Sequence, residues 1–123
     1  MRDWEKFELK IAEELRKNGI PARRTGNMVR ARKCDVETPE LLIECVYKKL
    51  KGVVSLPKYK MDRTERYAEN LGKIPVMVIG LKGSEEKYAI LRWKDFISML
   101  KAMKIYNKIK EIIHNLENNK SHI

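Results

Sequence analysis

Glutamine is absent from the 123 residues, and cysteine (two), histidine (two), proline (four) and aromatic residues (7%) are scarce. Cys34 and Cys45 are too few for a disulfide framework and lack the paired C-x-x-C spacing of a zinc site. The two histidines, His114 and His122, sit apart near the C-terminus, so reduced, buried thiols are the expected state. A long hydrophobic run is also missing. The longest, Ile74 to Leu81, is interrupted by Pro75 and Gly80 and is far too short to span a bilayer. The opening residues, Met1-Arg2-Asp3-Trp4-Glu5, contain no apolar stretch of signal type, so a cytoplasmic location with no membrane partner is expected. Internal repeats and low-complexity linkers do not occur.

Charge is what the chain has in abundance. Charged residues make up 36% and hydrophobic residues 43%, a balance that excludes a disordered chain. Lys and Arg number 27 against 17 Asp and Glu, a net charge of +10. A polyanion is the natural partner of such a surface, and nucleic acid is the commonest polyanion in the cytoplasm. Richness in Lys, Glu and Ile without glutamine also fits a hot-living source.

Apolar spacing predicts the elements. Trp4, Phe7, Ile11, Ala12 and Leu15 recur at helical intervals over residues 4–18, and Asn18-Gly19 ends the run. Pro21 to Glu37 is basic and broken by Gly26-Asn27, which predicts short strands joined by a turn. Leu41 to Tyr47 is apolar on both faces and reads as a central strand. A helix from Pro57 to about Leu71, closed by Gly72, follows, then strands at Ile74–Ile79 and Lys87–Leu91 and a final helical region from Lys94. Trp4 and Trp93 fall on stripes expected to be buried. The order α-β-β-β-α-β-β-α predicts an α/β fold, a mixed sheet flanked by helices.

Two acidic residues fit their surroundings poorly. On a helical wheel Glu8 lies about 40° from the centre of the Phe7–Ile11–Leu15 stripe, where a carboxylate is desolvated unless a cation meets it. Glu44 sits mid-strand, on the face shared by Leu42, Val46 and Lys48. Asp35, just before Thr38-Pro39, could lie beside it on a neighbouring strand. Three carboxylates from a helix and two strands can form an oxygen-rich site for a hard cation such as Mg²⁺. Ion pairing with one of the many Lys or Arg residues is the commoner use of such a strand glutamate, and pattern alone leaves both readings open.

Cys34-Asp35 followed by Leu42-Ile43-Glu44-Cys45-Val46-Tyr47 resembles the core motif of the PD-(D/E)XK nuclease superfamily, in which an Asp precedes a strand carrying Glu-x-Lys. Within that superfamily the chain is most similar to the archaeal and viral Holliday junction resolvases. Phe7-Glu8-Leu9 through Asn18-Gly19-Ile20 resembles their N-terminal helix and singles out Glu8. Arg24-Thr25-Gly26-Asn27 resembles their basic glycine-containing loop, while Ser55–Lys58 and Gly72–Val78 resemble their second half. The resemblance covers about residues 4–100. It implies a restriction-endonuclease-like fold over residues 1–103, with 104–123 as a helical extension packed on the same domain or on a partner. Val46 departs from the motif, which has Lys there; valine offers no polar atom. Lys48, roughly 6.6 Å further along the same strand face, and Lys58, at the start of the next helix, are the candidate replacements.

The resemblance thus implies a Mg²⁺-dependent endonuclease, with Mn²⁺ able to substitute, that hydrolyses four-way junctions as a homodimer. Glu8, Asp35 and Glu44 would hold metal and Lys48 or Lys58 would stabilise phosphate charge. Arg23, Arg24, Asn27, Arg30, Arg32 and Lys33 would contact branched or duplex DNA. The alternative is a branched-DNA-binding protein silenced at Val46. An RNA-binding module is the weaker rival, since no stacking-aromatic motif of the RRM type is present.

Overall fold

The computed structural model describes residues 1–25, 35–49 and 52–120. Its elements follow the predicted order: α1 (Asp3–Lys17), β1 (Arg23–Arg24), β2 (Val36–Glu37), β3 (Leu41–Lys49), α2 (Lys58–Leu71), β4 (Ile74–Lys82), β5 (Lys87–Leu91) and α3 (Trp93–Lys120). The five strands form one sheet in the order β1-β2-β3-β4-β5. Only β3 and β4 run parallel, because α2 carries the chain back between them; the remaining neighbours are antiparallel.

β3 is central, as its apolar character requires, and its two faces pack different helices. Ile43, with Val36 and Val76, meets Phe7, Ile11 and Ala12 of α1. Val46, with Met77, Ile79 and Leu81, meets Met61 of α2, while Leu42 meets Ala68. Alternation along β3 therefore places Glu44 on the α2 side. α1 carries Asp3 and Glu5 in its first turn and Arg16 and Lys17 in its last, which suits the helix dipole. α2 ends at Gly72, whose φ of 65° only glycine adopts without strain.

The chain divides into two compact units, Met1–Leu91 and Arg92–Ile123. α3 runs through position 103 without a break, and none of its residues is buried. The expectation of a buried Trp93 is corrected: the side chain is 73% exposed and stacks on Phe96, ring centroids 5.7 Å apart. Trp4 is corrected too. It is 48% exposed in the first turn of α1, ahead of the buried residues Phe7, Glu8, Ile11 and Ala12. Among the described residues no helix is long and apolar enough to cross a membrane.

Gly80 fixes how closely α1 approaches the sheet. A Cβ there would stand 2.3 Å from Cε1 and 2.5 Å from Cζ of Phe7, whose ring is buried against Tyr47 at 5.2 Å. Gly80→Ala is expected to overpack this contact and to lower stability by about 1–3 kcal/mol, read from the urea midpoint. Phe7→Leu in the same background should recover part of the loss. An unchanged midpoint in the single variant would mean that α1 shifts without cost.

Candidate active site

β2 is only two residues long, and its pairing with β3 stops at Val36 opposite Ile43. Asp35, the residue just before β2, then bonds to β3 through both its backbone and its side chain. Asp35 Oδ2 accepts the Cys45 backbone N–H at 2.7 Å, while the Asp35 N–H donates to the Ile43 carbonyl at 2.9 Å. The Asp35 carboxylate is thereby held against β3 at the position next to Glu44.

Glu8 arrives from α1 and Glu44 from β3. With Asp35 they line one cleft of about 420 Å³, together with Trp4, Val46, Tyr47, Lys48 and Lys60. The three acidic residues singled out in the sequence are thus brought together. Glu8 is 2% exposed; its Oε2 lies 3.6 Å from Arg24 Nη2, an ion pair too long for a hydrogen bond. Glu44 Oε1 accepts from Arg63 Nη2 at 3.1 Å. Burial pushes both carboxyls up from 4.5 to about 7, helped by the nearby Asp35 charge; Arg24 opposes the rise at Glu8, and Arg63 and Lys60 oppose it at Glu44. Burial raises Asp35 as well, against the Cys45 N–H bond that favours its charged form.

The ion-pair reading of Glu44 therefore holds in part, since Arg63 is its partner. The network is nevertheless incomplete on both signs. Among the described residues, both carboxylate oxygens of Glu8 and the Nε atoms of Arg24 and Arg63 are buried without a hydrogen-bond partner. The carboxylates also do not close into a ready ligand group: no three acidic, cysteine or histidine side chains do so among the described residues. Each arginine draws its glutamate towards its own element, Arg24 to β1 and Arg63 to α2. In donor chemistry the cluster still suits a hard divalent cation, which needs one or two carboxylates and completes its shell with water. The orphaned oxygens of Glu8 are donors of that kind.

The lysines are placed differently from the sequence expectation. Lys48 lines the cleft, but its Nζ donates to the Ser55 carbonyl at 3.2 Å. Lys58 is not brought there: it is 71% exposed and pairs with Asp62 one turn along α2. Lys60, which sequence reading passed over, lines the cleft half-buried and acts on both Asp35 and Glu44. Its signal was available. Lys60 and Arg63 each stand one residue before a buried position of α2, Met61 and Thr64, and so border the face turned to Glu44. Val46 is buried against Met61 and Ile79, so no amine enters from its position.

The basic belt divides likewise. Arg23 pairs with buried Glu37 at 3.2 Å, an ion pair that Lys73 shares, so it ties β1 to β2. Arg24 is mostly buried and turned to Glu8. Asn27, Arg30, Arg32 and Lys33 lie outside the described residues.

No protein-family model matches this chain, and no curated protein sequence does. Among solved structures it is similar to Archaeoglobus fulgidus Hjc, a Holliday junction resolvase from an archaeal hyperthermophile. The TM-score is 0.54 and the identity 22%, over 70% of this chain and 73% of that one. The fold is restriction-endonuclease-like. The fold expectation from the sequence is met.

Raised carboxyl pKa values make stability depend on pH with a definite sign. Between pH 4.5 and about 7 the folded chain holds protons on Glu8 and Glu44 that the unfolded chain has released, so these groups lower stability as pH rises through that window. In EDTA the melting temperature is expected to fall from pH 5 to pH 7.5, and Glu8→Gln and Glu44→Gln should each flatten the fall. Millimolar Mg²⁺ should raise the melting temperature at the upper pH and not at the lower, because a cation competes with protons for the same oxygens. A Mg²⁺ effect equal at both pH values would exclude these carboxylates as its ligands.

Proposed function

We propose that the unit Met1–Leu91 is a divalent-metal-dependent endonuclease for branched DNA, four-way junctions above all, working as a homodimer. One observation carries this reading: three carboxylates from α1, the start of β2, and β3 meet in one cleft with Lys60. The fold shared with a Holliday junction resolvase supports the substrate class, and the net charge of +10 suits a polyanion.

Asp35 and Glu44 would hold Mg²⁺ or Mn²⁺, with Glu8 completing the donor set from α1. When bound, such an ion polarises the phosphodiester and makes water a better nucleophile. The chain itself supplies the rest. The Cys45 N–H orients Asp35, and Arg63 favours the ionised form of Glu44 against burial and fixes its position. Lys60 supplies the positive charge for developing phosphate charge that Val46 cannot. Val46 also favours a second reading, a junction-binding protein without turnover.

A labelled four-way junction resolved on a denaturing gel separates the two. Cleavage is expected with Mg²⁺ and not with EDTA. Lys60→Ala should slow it on the order of a hundredfold or more, the scale of one lost preorganised charge contact, while Lys60→Arg retains more activity. Lys58→Ala should stay within about twofold, as for an exposed residue away from the reacting groups. Glu44→Ala and Asp35→Ala should abolish cleavage and leave junction binding intact. A wild type that binds junctions without cutting them, and gains cleavage in Val46→Lys, would establish the silent reading instead.

A further inference from the structure

α3 is the longest element of the chain and the least accounted for. From position 100 to Lys120 every residue is exposed. Helical stability in proteins comes mostly from packing an apolar face, and propensity alone adds little. Its apolar residues are not scattered. Ala102, Ile105, Ile109, Ile112 and Leu116 follow steps of three, four, three and four, a period of 3.5 rather than 3.6. That period keeps one seam aligned along two helices that wind around each other. Tyr106 and Ile113 flank the seam on one side, Lys101 and Lys108 on the other.

We infer that this seam pairs with the same helix of a second copy of the chain. Area supports the occupant. Six large side chains (Ile105, Tyr106, Ile109, Ile112, Ile113, Leu116) are each half or more exposed. Together they present on the order of 500 Å² of apolar surface per chain, within the range of about 300–600 Å² in which the largest patch of a protein is often functional. Pairing would remove on the order of 1,000 Å² in all, the size at which a specific interface begins. Charge supports it as well. With the helices parallel and in register, Lys101 faces the partner's Tyr106 and Lys108 the partner's Ile113. Ammonium therefore never meets ammonium across the seam, although the chain carries a net charge of +10. The lysine stems instead lie along the apolar stripe with their charged ends in water. The inference deepens the homodimer of the proposed function by naming the helix that pairs, and a dimer formed elsewhere would leave that reading standing while overturning this one.

Light scattering and sedimentation of the full chain, without DNA, test it. The wild type should be a dimer at micromolar concentration. The double variant Ile109→Lys, Ile112→Lys should weaken dimerisation at least about tenfold, a factor worth 1.4 kcal/mol. Because that variant could also lose helix, a second pair is read by oxidation: Ile109→Cys should give a disulfide-linked dimer, and Asn107→Cys, on the opposite face, should not. A monomeric wild type overturns the proposal, as does a dimer indifferent to the double variant or cross-linked equally from both positions. A monomer that sediments with phosphatidylglycerol vesicles overturns it in favour of a lipid surface.

Discussion

The hydrogen bond from the Cys45 backbone to Asp35 is the interaction on which the carboxylate cleft of the unit Met1–Leu91 depends. A central strand cannot leave its N–H groups unmet, and the Asp35 carboxylate meets that of Cys45. By taking that donor, the carboxylate is fixed against β3 beside Glu44. The same bond favours its ionised form, while burial and neighbouring carboxylates act against ionisation across the cluster. Folding thus concentrates negative charge in one cleft. Among the described residues, cations from α2 and β1 relieve it in part.

How that relief is divided decides between structure and chemistry. A finished structural network would satisfy each member, because an unmet buried polar group costs about 1–3 kcal/mol. Glu37 shows such a finished case, buried with Arg23 on one side and Lys73 on the other. The Glu8 cluster contrasts with it within the same sheet, since Glu8 reaches Arg24 only at 3.6 Å and keeps both oxygens unbonded among the described residues. Two buried glutamates in one small domain therefore have different uses: one ties strands together, the other is left with donor capacity facing a cleft.

The fold was legible because its signals are local and redundant. The two-sided apolar character of Leu41–Tyr47 marks a central strand, and Gly72 marks where α2 must stop. Glu8 and Glu44 were legible for the opposite reason, as charges where burial is required. Lys60 was not, because nothing about a lysine in a basic chain is anomalous; only knowing that the β3 face opposite α2 holds Glu44 makes it informative. Lys58 misled through sequence proximity, since a helix turns about 100° per residue and two positions along α2 lead to solvent. Trp4 and Trp93 misled because amphipathic spacing identifies a stripe without revealing which part of it meets a neighbour.

Val46 shows how packing and chemistry compete for one position. On the face it shares with Glu44, its side chain fills the contact between Met61 and Ile79, where a lysine would bring an ammonium into an apolar cluster. Valine at this position thus favours packing of α2 against the sheet. The same helix carries Lys60 and Arg63, next to Met61 and Thr64, which act on the carboxylates. With valine on the strand and Lys60 acting on Asp35 and Glu44 from α2, a positive charge reaches the cleft from the helix. Its position then depends on helix docking, so the Met61–Val46 contact links the hydrophobic core to the electrostatics of the site.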